Sequence, residues 1–102
     1  MNGATNALDL DALRQRRGEI LERAALRGAS NVRVFGSIVR GERRSHSDID
    51  LLVEMDGGRS LIDLVGLGQE LEDLLGVPVD VLSAAGISAH LRQRIVGEAV
   101  AL

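Results

Sequence analysis

Apolar residues recur along this chain at two spacings, and the changes between them mark its elements. Between residues 8 and 27 they fall at Leu8, Leu10, Leu13, Ile20, Leu21, Ala24, Ala25 and Leu26, near the period of an amphipathic helix. Asp9 or Asp11 can cap its start, and Gly28 stops it. Residues 31–35, NVRVF, alternate and predict a strand. Gly36 ends it, residues 37–41 form a short helical turn, and the polar, aperiodic stretch 42–47 reads as a loop. The run DIDLLVE, 48–54, predicts a second strand. Ile49, Leu51 and Val53 share one face; Asp48, Asp50, Leu52 and Glu54 share the other. After a turn at 55–59, Ser60 caps a helix with apolar Leu61, Leu64, Val65, Leu67, Leu71, Leu74 and Leu75, and Gly76 closes it. Residues 78–83, PVDVLS, predict a third strand, with Val79 and Val81 facing one way and Asp80 and Leu82 the other. The pattern ends in a helix over 87–100 with Leu91, Ile95 and Val96 as core positions, weakened by Gly97. Residues 1–6 are small and polar and read as a loose tail.

Helices interleaved with strands predict one α/β domain over residues 1–102, a three-stranded sheet with helices packed on one face. The open face is the one that carries the aspartates. Composition narrows the core: the chain is 45% apolar with one aromatic residue, Phe35, so Leu, Val, Ile and Ala must fill it. A net charge of −3 argues against a dedicated nucleic-acid binder, and no direct nucleic-acid partner is expected. All twelve basic residues are arginines, and the local group Arg40, Arg43 and Arg44 leaves room for an anion site. Without cysteine there is neither a disulfide framework nor a thiolate metal site. The sequence shows no basic leader and no long apolar stretch, so the expectation is a cytoplasmic protein with no signal peptide and no membrane span.

The chemistry lies in "GSIVRGERRSHSDID", residues 36–50. Asp48 and Asp50 stand at i and i+2 of a strand and point to one face. Asp80 stands on another strand of the same sheet, and if the two strands are neighbours the three carboxylates converge. Three anions so close raise a carboxyl pKa unless a cation intervenes. Hard divalent cations such as Mg²⁺ take oxygen ligands from a few carboxylates and from substrate phosphates. Gly36 removes a side chain where backbone must approach a ligand. Ser37 opens a helical turn whose N–H groups favour phosphate, and its hydroxyl adds a donor. Arg40, one turn on, can add a bidentate phosphate contact. Taken alone, the D-x-D is a short, frequent motif on a solvated face, and the Gly-Ser is a plain strand-to-helix turn. Together they make a phosphate cradle followed by a metal-binding pair.

A Gly-Ser, ten residues, then DID, with Arg40-Gly41 between them, resembles the signature of the nucleotidyltransferase superfamily that includes DNA polymerase beta. Gly36, Ser37, Asp48, Asp50 and Asp80 match position by position. The resemblance spans roughly residues 31–83 and implies a small mixed β-sheet of the polymerase beta-like kind. The form "GSIVRGERRSHSDIDLLV" looks most like the minimal nucleotidyltransferases, the MNT antitoxins paired with HEPN-domain toxins; Val39 departs from the Ala usual there. The resemblance implies roles. Gly36 and Ser37 would hold the triphosphate of ATP. Asp48 and Asp50 would hold two Mg²⁺ ions. Asp80 would be a further metal ligand and help to deprotonate the acceptor. The implied activity is transfer of AMP to a hydroxyl, a tyrosine of a HEPN toxin, in a hetero-oligomer where this chain is the antitoxin. The alternatives are a binding module that neutralises its partner by occlusion, and a nucleotidyltransferase acting on a small molecule.

Other residues read as scaffold or surface: His46, Arg43 and Arg44 as solvated loop, His90 as helix surface, Phe35 as core, Glu54 as the solvated end of its strand, and Glu70, Glu72 and Asp73 as helix surface.

Overall fold

Alternating Val, Leu and Ile positions build the sheet on which the other elements rest. The computed structural model describes residues 8–42 and 48–102. Its elements are α1 (Leu10–Gln15), α2 (Arg17–Leu26), β1 (Ala29–Phe35), α3 (Ser37–Arg40), β2 (Ile49–Met55), α4 (Leu61–Leu75), β3 (Val79–Ser83), a 3₁₀ turn (Ala84–Gly86), α5 (Ala89–Glu98) and β4 (Val100–Ala101). The sheet order is β3-β2-β1-β4. β2 runs parallel to β3 and antiparallel to β1, and β1 runs antiparallel to β4. The predicted 1–6 tail and residues 43–47 of the predicted loop lie outside the described residues.

One face of the sheet is the core. Val32, Val34, Ile49, Leu51, Val53 and Val79 meet Leu13, Ile20 and Ala24 of the first two helices and Leu67 and Leu71 of α4. Burial of each of these Val, Leu and Ile side chains stabilises by roughly 1.5–3 kcal/mol. The predicted alternation of β2 holds: Ile49, Leu51 and Val53 belong to this core, and Asp50 does not.

The caps are local. Asp9 accepts from the Ala12 N–H at 2.8 Å and starts α1. Ser60 accepts from the Ile62 N–H while Asp63 reaches back to the Ser60 N–H, a capping box that starts α4. Gly76, at φ 74, ends α4 in the left-handed region.

Four features depart from the expected pattern. The first helix breaks at Arg16 (φ −99, ψ 14), in the apolar gap between Leu13 and Ile20. β1 begins at Ala29, two residues early, and its register with β2 shifts between Ser30 and Arg33, where Asn31 has φ 49. The last helix stops at Glu98, and residues 100–101 form a fourth strand on β1. That strand is fixed by tertiary bonds: Leu102 N–H donates to Val32 O at 3.2 Å, and Arg14 donates to the carbonyls of Ala101 and Leu102 at 2.7 and 3.2 Å. Finally, the aspartate face is not fully open. Leu52 on that face is wholly buried, and Leu91 and Ile95 of α5 line hollows with Phe35 on one flank and Leu82 on the other. α5 buries none of its own residues, and Leu91 and Val96, expected in the core, are exposed.

Candidate active site

Sheet register brings the predicted carboxylates together. Asp50 and Asp80 are paired positions on the adjacent parallel strands β2 and β3, whose backbones lie roughly 4.8 Å apart. Asp48 stands just before β2, two residues ahead of Asp50, and its charge acts on both Asp50 and Asp80. Burial, reinforced by the charges of Asp80, Asp48 and Glu98, pushes the Asp50 carboxyl up to about 6, against the pull of Arg40. Asp80 is also raised, by desolvation first, then by Asp48, then by Glu72. A carboxyl whose pKa is raised by burial and by neighbouring carboxylates marks a site in want of positive charge.

The Gly-Ser turn abuts this cluster. Phe35, the residue before it, pairs with Asp50 across β1 and β2. Gly36 adopts φ 85 and ψ −158, a region that only glycine occupies readily. A Cβ there would run into Asp50 Oδ2, so the missing side chain lets the turn sit directly against the carboxylate. Half-buried Ser37 opens α3 behind it. Arg40 is at the site, one turn on. Its Nε donates to Glu42 Oε1 at 2.9 Å and its Nη1 to Glu98 Oε2 at 2.6 Å. The other oxygen of Glu98 accepts from the Gly36 N–H at 2.6 Å. Sequence reading missed Glu98 altogether, because its partners lie about sixty residues away and nothing local marks it.

Several further residues now have places. Phe35 is not in the main core; it lines a hollow of about 240 Å³ with Gly36, Arg40, Leu91, Ile95 and Glu98. That corrects the expectation of a core residue, and the cause is its position on the aspartate face of β1. Glu54 is occupied away from the cluster, accepting from Asn31 Nδ2 at 2.6 Å and facing Arg33 at 3.7 Å. Glu72 does more than decorate a helix: it accepts from the Val79 N–H at 3.0 Å and pins the start of β3. Glu70 pairs with Arg27, tying α2 to α4. His90 is exposed on α5. Arg43, Arg44 and His46 lie outside the described residues.

The donor set suits Mg²⁺. Asp48, Asp50 and Asp80 are hard oxygen ligands, and a cation among them would relieve the mutual repulsion that helps to raise Asp50 and Asp80. Among the described residues no three acidic or histidine side chains form a ready-made metal cage.

Known proteins share this fold. The nucleotidyltransferase domain family matches residues 13–102. A protein of Methanocaldococcus jannaschii, provisionally named a protein adenylyltransferase, is 49% identical over 73 residues, covering 72% of this chain and 78% of the relative. The protein adenylyltransferase MntA of Thermococcus cleftensis is 36% identical over 73 residues, covering 72% of this chain and 74% of the relative. A solved structure provisionally described as a minimal nucleotidyltransferase superposes with a TM-score of 0.82 at 49% identity, over 92% of this chain and 96% of that one. A chain from the complex of a tri-AMPylated Shewanella oneidensis HEPN toxin with its MNT antitoxin shares the fold alone, with a TM-score of 0.67 at 21% identity over 86% of this chain and 69% of that one. The family match runs from α1 to β4 and takes in the sheet and all three aspartates. This chain therefore belongs to the nucleotidyltransferase domain family, in its minimal form.

Proposed function

We propose that this chain is a Mg²⁺-dependent protein adenylyltransferase that moves AMP from ATP onto a tyrosine hydroxyl of a HEPN-type partner and so acts as its antitoxin. The observation that carries the reading is the contact of Gly36 with Asp50, which sets the Gly-Ser turn against the paired carboxylates of Asp50 and Asp80. The names of the relatives support the protein acceptor. The MNT–HEPN complex of the same fold supports the partner.

Each residue has a task. The Gly36 backbone, the Ser37 hydroxyl and Arg40 bind the triphosphate. Asp48, Asp50 and Asp80 hold one or two Mg²⁺ ions, which when bound neutralise charge on the phosphates. Asp80, exposed at the edge of the sheet, accepts the proton of the acceptor hydroxyl. The acceptor oxygen bonds to the α-phosphorus, the α–β bridge breaks, and pyrophosphate leaves. No described helix is long and apolar enough to cross a membrane.

The test uses ATP labelled at either end with Mg²⁺ and the partner. Label at the α-phosphate should pass to the partner, and label at the γ-phosphate should not. Transfer of the γ-label would replace this reading with phosphoryl transfer; transfer of neither would leave occlusion.

A further inference from the structure

Glu98 uses both carboxylate oxygens on two separate donors. One accepts from the Gly36 N–H and the other from Arg40, each at 2.6 Å. Those donors come from the turn that the proposed function gives to phosphate. A bridging carboxylate makes the kind of contact that a phosphate makes, with two oxygens on a backbone N–H and a guanidinium. Its own charge is secured there, because the Gly36 N–H and then Arg40 hold its pKa down. It also adds to the negative field on Asp50. A polyphosphate reaching this cradle meets a like charge already seated in it.

We propose that Glu98 is a resident anion of the nucleotide cradle, which a phosphate of the nucleotide must displace to reach Gly36 and Arg40. This rests on the nucleotide reading of the site and adds regulation to it. While Glu98 is seated, the two donors stay aligned without ligand, and the last turn of α5 is latched beside the turn. Besides Glu98, that turn has half-buried Ile95, which lines hollows with Phe35 and Leu82, and β4 two residues on. α5 buries no residue, and Arg92 secures only its beginning, through the carbonyls of Ala84 and Ile87. Displacement therefore loosens the end of α5, while β4 beyond it stays paired to β1. Nucleotide occupancy is thereby written onto the surface of α5, where a partner can read it.

Calorimetric titration of the full chain with Mg²⁺ and a non-hydrolysable ATP analogue tests the competition. Glu98→Gln keeps size and removes the charge, and should bind about tenfold more tightly than wild type, since the tax of an occupied cradle is lifted. Equal or weaker binding by Glu98→Gln, with wild type binding well, overturns the proposal and leaves the nucleotide site intact. Binding by neither overturns the nucleotide reading and this inference with it. Hydrogen exchange on wild type gives an independent readout that needs no variant. The amides of residues 95–98 should exchange faster with analogue and Mg²⁺ than without; slower exchange means that Glu98 stays seated, and the proposal fails.

Discussion

Gly36 and Asp50 are joined by the absence of an atom. The Gly36 conformation, φ 85 and ψ −158, costs a side-chain-bearing residue roughly 1–3 kcal/mol, and an added Cβ would strike the Asp50 carboxylate. Gly36→Ala should therefore lower stability by at least that amount in denaturant titration and weaken nucleotide binding as well. A Gly36→Ala protein as stable as wild type would show that the turn is not pressed against Asp50. Asp50 itself carries a pH signature. Its carboxyl is raised from 3.8 to about 6 in the folded chain, so between those values the native state keeps a proton that the unfolded chain has lost. Without divalent cation, the Asp50 contribution to stability should fall as pH rises from about 4 to about 6. Asp50→Asn should remove that contribution. Asp80, whose carboxyl is raised too, acts in the same sense, while Glu98, Glu70 and Glu19, whose carboxyls are held down, act in the opposite one. Thermal melts across this window, with and without Mg²⁺, measure it. An identical slope in both proteins contradicts the assignment.

At the scale of elements, legibility followed the locality of the cause. The faces of β2 and β3 were readable because Ile49, Leu51, Val53 and Val79 alternate with Asp50 and Asp80, and a period of two admits one placement on a half-buried sheet. α4 was readable because its signals lie within a turn of each end: Ser60 with Asp63, and Gly76. Ser60→Ala should cost about 0.5–2 kcal/mol of stability and leave nucleotide transfer unchanged, because this cap lies on the scaffold and not in the site; a matching loss of transfer at saturating ATP would tie α4 to the chemistry. What was not readable depended on distant partners. Val100 and Ala101 carry no strand signal of their own and pair because β1 offers them an edge, a tertiary preference that overrides local propensity. Leu91 and Val96 looked like a core face, yet α5 lies against the edge of the aspartate side and leaves both exposed. The role of Glu98 depends on that same placement.

For the whole molecule, the sheet order β3-β2-β1-β4 is what turns scattered residues into a site. It sets Asp80 beside Asp50, and Phe35 with the Gly-Ser turn on the other flank. The three aspartates and the Gly-Ser were visible in the sequence as candidates, while their convergence needed the β2–β3 pairing. The proposed transfer of nucleotide to a protein is tested with least disturbance at Asp80. Asp80 is exposed and outside the core, so Asp80→Asn should fold normally and still bind its partner. It should lose a general-base contribution on the order of 100- to 10,000-fold. The decisive measurement is the intact mass of the proposed HEPN-type partner after incubation with ATP and Mg²⁺. With wild type the mass should rise by one or more AMP units, and with Asp80→Asn it should not rise in the same time. An unchanged mass with both proteins, while both neutralise the partner equally, would contradict the enzyme and establish occlusion instead.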